Sequence, residues 1–433
     1  MEKLLLGVAR TDVTPKVGGL VFGYDLDTFS TSINDNLTAT ALLFKYGKTD
    51  FLFLNATVCL VGVTPCNEIR KAISEDLGIP FENIIISVIH THSGPSLAEE
   101  SDGWFFDKEY YDEIFYPAMI KVAKEATKKL TPVTVGRAAG NCYAGVNRRE
   151  LALDNTVLLG QNPWAPFNPE MNVVSFKGED GNVIANIIAY SAHATAAGRN
   201  KEITRDWPGV MIDAIEALSG GLTVFFNGTM GDSGPRLKNG GTTGKGIESV
   251  MEIGEIAAND ATRIYNSIKE YKNVSVSVAS GELELPLRPL VPYDEAVEML
   301  EKFKSDKTEL HLNGQAIAFY EKVIEFHEKG CEPAKVKKIP QTVVRIGDIV
   351  FAPFPFEMFT EVAARINAAT PDLTIVAMSY NNGQMLYVPT EDQMCRGGHE
   401  VRCFTYSNVP QYAKNTDYHL VIGTLKNIEK LER

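Results

Sequence analysis

Residues 84–95 read IIISVIHTHSGP. An apolar run from Ile84 to Ile89 ends on two of the chain's seven histidines, His90 and His92, and then breaks at Gly94-Pro95. A β-branched run of this length, bounded by Gly and Pro, reads as a buried strand. Side chains two apart on an extended segment project to the same side, so the pattern predicts that His90 and His92 face one point, as a metal or proton-transfer site requires. The competing reading is one packed histidine and one loop histidine.

Working outward, TPCNEIRKAISEDLG (64–78) opens on Thr64-Pro65 and closes at Gly78, the signature of a helix feeding the strand at Ile84. Two hairpins are readable, MNVVSFKGEDGNVIANIIAY (171–190) turning at Gly178–Gly181 and QTVVRIGDIVFAPF (341–354) turning near Gly347-Asp348. Helical periodicity with many charges replaces the strands between about 292 and 330, which reads as a helical insertion able to cover a site. Strands and helices alternating in this way predict an α/β fold.

The apolar runs share a habit of handing over a polar group as they end. NVIANIIAYSA stops at His193, LTVFFNG at Asn227 ahead of TMGDSGP, DIVFAPFPF at Glu357, and LTIVAMSYNNG shortly before Tyr387. In sheet-based enzymes, sites gather at one edge because rigid strands hold the loops there.

Each candidate has a plain alternative. His193 precedes Ala194–Gly198, small residues that leave room for a ligand, or it is a satisfied core histidine. Glu357 sits among Pro353, Phe354, Phe356 and Phe359, where an unpaired carboxylate costs roughly 3–5 kcal/mol. It calls for a metal or an arginine, unless EMFTEVAARINAA is a helix with Glu357 exposed at its N-terminus. Arg148 offers a planar cation for an oxyanion, although an Arg148-Arg149 pair is also ordinary surface charge. Asp206 caps a helix begun by Pro208, and Asp232 with Ser233 lies in a glycine-rich turn that can present N–H groups to an anion.

Composition narrows the function class. The chain has 433 residues, 44% hydrophobic and 22% charged, with a net charge of −13. No Lys/Arg block is dense enough to track a phosphate backbone, which argues against nucleic acid and anionic membrane as partners. Six cysteines without a CxxC pair read as reduced, with Cys59 in the core. Without a recognisable leader or a membrane-spanning segment, the expected location is the cytoplasm.

Taken together, GVARTDVTP, IHTHSGP, GVNRR, YSAHATA with RDWPG, NGTMGDSGP, PFEMFTE and LYVPT resemble, in order and spacing, the catalytic domain of the neutral ceramidase family. The resemblance implies packed mixed β-sheets flanked by helices. It implies one zinc ion held by His90, His193, Glu357 and Tyr387, with His92 and Arg148 near the substrate carbonyl, and hydrolysis of an amide by metal-activated water. Two positions depart from the family. Gly234 stands where ceramidases carry an active-site serine, and His399 where they carry a second tyrosine.

The expectation is therefore one catalytic domain over 1–433 with a helical insertion at about 292–330 and no C-terminal β-sandwich. It is a zinc amidase acting on a small-molecule or lipid-like amide other than ceramide, with His92, Arg148, His399 and Asp232 as catalytic candidates. The alternatives are a serine hydrolase using Ser93 or Ser233, and a non-catalytic binding protein of the same fold.

Overall fold

Eight strands form the larger of two principal sheets. They are β1 (Leu4–Asp12), β2 (Thr38–Tyr46), β3 (Thr49–Ala56), β4 (Ile84–Val88), β5 (Thr131–Asn141), β6 (Glu170–Gly178), β7 (Val183–Tyr190) and β8 (Leu222–Asn227), in the order β8-β7-β6-β5-β1-β2-β3-β4. The smaller sheet is β9 (Val276–Pro286), β10 (Val336–Ile346), β11 (Ile349–Pro353) and β12 (Thr374–Met378), side by side in that order. The computed structural model describes residues 2–24, 28–98, 106–306 and 310–432.

Within these two sheets most pairings are antiparallel, and three among the described residues are parallel: β3 with β4, β7 with β8, and β11 with β12. Each parallel pair needs a crossover, and a helix supplies it: α1 (Val63–Leu77), α3 (Asp206–Ser219) and α7 (Thr360–Ala369) respectively. α2 (Tyr116–Ala126) and α4 (Ile247–Tyr265) add to the outer face of the larger sheet. The sheets pack face to face through a shared aromatic core in which Phe351 of the small sheet meets Phe53 at 5.5 Å and Phe226 at 5.9 Å. Burying such a ring is worth about 1.5–3 kcal/mol, so this seam fixes how the two sheets sit.

Both hairpins and the 64–78 helix fall where the sequence places them. α5 (Tyr293–Ser305) and α6 (Leu310–Glu328) form a helical pair with its own apolar contact around Leu300, Phe319 and Val323, and 307–309 lie outside the described residues. α8 (His399–Thr405) and α9 (Thr416–Ile428) follow. Among the described residues no helix is long and apolar enough to cross a membrane.

The parallel pairs decide where chemistry can sit. β4 leads to His90, β7 to His193, β11 to Glu357 and β12 to Tyr387. Cross-links tie these strand ends together: the Ser379 N–H donates to Asn227 O at 2.9 Å and the Asn382 N–H to Ile86 O at 2.8 Å.

Candidate metal centre

One expectation needs correction. β4 stops at Val88 and His90 adopts φ 61°, so pleat alternation does not aim His90 and His92. A left-handed residue turns the chain instead, and the two Nε2 atoms converge to 3.0 Å. Tyr380, Asn382 and Leu386 also have positive φ, at 53°, 55° and 59°. Non-glycine residues held this way cost roughly 1–3 kcal/mol each, and such strain gathers where side chains must be aimed.

The hydrogen bonds fix the histidine tautomers. His90 Nδ1 lies 3.0 Å from Cys59 O and His193 Nδ1 2.9 Å from Ser233 O. A carbonyl oxygen only accepts, so each Nδ1 carries a proton, and a ring with that tautomer presents a lone pair at Nε2. His193 Nε2 stands 2.6 Å from Glu357 Oε2, and His90 Nε2 stands 3.8 Å from Glu357 Oε1. Neither His193 Nε2 nor Glu357 Oε2 has a hydrogen-bond partner, and both residues are buried.

Lone pairs that face each other in a dry site repel unless a cation or shared proton lies between them. Burial holds His90 down to about 4 and His92 well below the usual range, so neutral imidazoles, the form that ligates, prevail at pH 7. Burial would raise Glu357, but His193, His90 and Arg148 outweigh it and keep it ionised. The ligating atoms of His90, His92 and His193 all lie within 4.8 Å of one another. This donor set, two or three imidazoles and a carboxylate, suits a catalytic metal such as zinc.

Tyr387 is registered directly beside Glu357 in a short parallel ladder, Glu357–Met358 with Tyr387–Val388. Its ring stacks 6.5 Å from that of His193 and lies 5.4 Å from Arg148 Cζ. Burial and Glu357 push its phenol well above the usual range, a tendency a bound cation would reverse.

Arg148 and Arg149 are both buried, not a surface pair. Glu400 lies between them, its Oε1 accepting from Arg148 Nε at 2.8 Å and its Oε2 from Arg149 Nη1 at 2.5 Å. Arg148 Nη2 is left without a partner. Burial would lower the Arg148 guanidinium, and Tyr387 and Glu400 overcome that and hold it charged.

His399 opens α8, 5.5 Å from the Tyr387 ring, and burial lowers its imidazole to about 4. It lines the same pocket, of about 70 Å³, as His90, His92, Glu357 and Tyr387. Asp232 is turned elsewhere: Oδ1 accepts from the Thr360 N–H at 2.9 Å and hydroxyl at 2.8 Å, and Oδ2 from Asn147 Nδ2 at 3.2 Å. Asp206 does not cap α3, whose N-cap is Arg205 without a side-chain cap bond; it is the first helical residue, and its carboxylate accepts from the N–H groups of Ala196, Ala197 and Trp207, pinning the loop after His193. Glu357 is not at an exposed helix start, because α7 begins at Thr360 and Glu357 is 1% exposed.

Sequence reasoning passed over Tyr380 and Glu400. The Tyr380 hydroxyl donates to Glu357 Oε1. Only its place in the MSYNNG strand end could have flagged it.

The chain superposes over its full length on the crystal structure of neutral ceramidase from Pseudomonas aeruginosa, with a TM-score of 0.76, 18% identity and 75% of that chain covered. The fold is that of the neutral ceramidases. A structure of ceramidase complexed with C2 gives the same result, with a TM-score of 0.74, 16% identity and 76% of that chain covered. No family model and no curated protein matches the sequence. At Gly234, where the resemblance in sequence implies a serine, a Cβ would lie 2.7 Å from the Thr242 Cβ, so Thr242 fills the space a side chain would need.

Proposed function

We propose that this chain is a zinc-dependent amidohydrolase acting on an amide other than ceramide. The observation that carries the reading is the pair His193 Nε2 and Glu357 Oε2, two buried atoms 2.6 Å apart that meet no other polar group. His90, His193 and Glu357 would hold the ion, with Tyr387 as fourth ligand. Zinc there would supply Lewis acidity and make a water nucleophilic near neutral pH.

The chain's own groups then divide the remaining work. Arg148, charged and with Nη2 unpartnered, is placed to stabilise the oxyanion of a tetrahedral centre. His92, neutral and with Nδ1 unpartnered, can hold or pass a proton beside the carbonyl. His399 can donate a hydrogen bond to substrate across the pocket. Asp232 positions, since its main-chain oxygen accepts from the Arg148 N–H at 2.8 Å while its carboxylate holds Thr360. In balance, water's oxygen bonds to the acyl carbon, the C–N bond breaks, and a carboxylate and a protonated amine leave.

The serine reading has less to draw on. Ser93 Oγ accepts from Asn200 Nδ2 at 2.7 Å, and Ser233 Oγ meets Thr360 Oγ1 at 3.3 Å and Asp232 Oδ1 at 3.5 Å. Neither hydroxyl bonds a histidine among the described residues. The test is a panel of N-acyl amides with and without chelator. Hydrolysis abolished by chelator and restored by zinc is expected; hydrolysis indifferent to chelator would return the serine reading.

A further inference from the structure

Beside the metal pocket lies a second cleft, of about 720 Å³, between α6 and residues 406–412. Gln315, Gln384 and Leu386 border both, forming a neck between them. At this neck the Oε1 atoms of Gln315 and Gln384 are buried without a hydrogen-bond partner, and Gln384 is only 4% exposed. Two acceptors with no donor in one opening await an N–H or O–H that the protein does not supply.

Beyond the neck the wall changes character. On α6, Gln315 and Lys322 stand seven residues apart, which at the helical rise is roughly 10 Å, and Lys329 follows just past the helix end. Phe319 and Phe326 stand between them. Across the cleft Lys337 donates to Asn408 Oδ1 at 2.7 Å and lies 5.8 Å from the Tyr412 ring. Lys329 is ion-paired with Glu325, the one carboxylate of the lining, so Lys322 and Lys337 give the lining its charge of +2 (3 − 1) on a chain whose net charge is −13. A basic, part-aromatic cleft opening on the metal pocket selects for the opposite charge on an apolar stem.

We propose that this cleft takes the distal arm of the substrate, and that the arm is an apolar stem ending in a carboxylate or similar anion roughly 10 Å from the scissile bond. The amide N–H or a neighbouring hydroxyl meets Gln315 and Gln384 at the neck. A neutral lipid amide gains nothing from the lysines. The inference rests on the amidase reading for its chemistry but not for its binding.

The probes are the mono-4-nitroanilide of octanedioic acid, the methyl ester of that anilide, and octanedioate itself. Zinc-loaded wild type, Lys322→Gln and Lys337→Gln are compared by the ratio of kcat/KM for acid over ester, and by calorimetric binding of octanedioate. The wild type is expected to favour the acid by about fivefold or more, the upper range for an exposed ion pair, with both the ratio and octanedioate affinity falling in the variants. A wild-type ratio at or below one, or octanedioate binding that is absent or equal in all three proteins, overturns the proposal. If neither anilide is cleaved but octanedioate binding still depends on the lysines, the amidase reading fails and the cleft assignment stands.

Discussion

Two buried charge clusters meet at Tyr387 and solve the problem of burial in opposite ways. In one, Glu400 divides its carboxylate between Arg148 and Arg149, so both buried guanidinium groups lie against an opposite charge that they share. In the other, Glu357 and His193 point acceptor at acceptor, and beside them His92 Nε2 donates to His90 Nε2 at 3.0 Å. The first cluster is held by ion pairs within the protein, with Arg148 Nη2 and Arg149 Nε left open. The second is stable only with something positive in it, and Arg148, bonded to Glu400 through Nε and open at Nη2, links the two.

If that contrast is sound, the clusters respond differently to mutation. The largest effect falls on function: His193→Ala is expected to lose metal affinity and amidase activity together by more than about a hundredfold, the upper end seen for mere supporting residues. Metal analysis and amide hydrolysis on the same preparation check it. Arg148→Ala should keep the metal while losing kcat, by roughly a hundredfold or more if Arg148 meets the oxyanion.

The next effect falls on stability. Glu400→Ala leaves two buried guanidinium groups facing each other and should cost about 3–5 kcal/mol in urea unfolding. Glu357→Gln, measured on metal-free protein, should cost little or even stabilise, because it replaces one of two opposed acceptors by a donor. Equal destabilisation by both would erase the distinction between the clusters.

Smaller effects sharpen it. Gly23 has φ 135°, and a Cβ there would lie 2.4 Å from His92 Cγ, so Gly23→Ala should displace the His92 ring and cost roughly 1–3 kcal/mol. It should also slow hydrolysis with metal content unchanged, a split that separates His92 from the ligands. Asp232 gives the pH signature. Burial raises its carboxyl to about 7 against the pull of the Thr360 donors, so the folded state favours the protonated form. Its contribution to stability is therefore full below the unfolded value of about 4 and is lost as pH rises through about 7. The unfolding midpoint should fall across that window in wild type and flatten in Asp232→Asn.

How much of this was legible beforehand follows from how far each signal reaches. His90, His193 and Glu357 could be found because each ends an apolar run, and a polar group at that place is visible in one dimension. The convergence of His90 and His92 was expected for the wrong reason, since nothing in IHTHSG marks His90 as left-handed. Glu400 was invisible because GGHEVR is an unremarkable helix start until α8 docks on Arg148 and Arg149. Gly397 and Gly398, with φ 66° and 89°, are what let the chain turn in to place it, and the Gly397 carbonyl also accepts from Arg149 Nη2 at 2.8 Å. Tyr380 needed the two sheets to meet before its hydroxyl had anything to donate to. Why Gly234 carries no side chain became intelligible only once Thr242, eight residues away in sequence, was seen against it.

On the proposed reading, a metal holds His193 Nε2 and Glu357 Oε2 together. The most direct measurement is metal per chain by plasma mass spectrometry on wild type and Glu357→Gln, prepared together from chelator-treated buffer and resupplied with zinc. Close to one zinc per chain in the wild type and little in Glu357→Gln is the predicted result. Equal metal in both, or none in the wild type after resupply, would contradict the account.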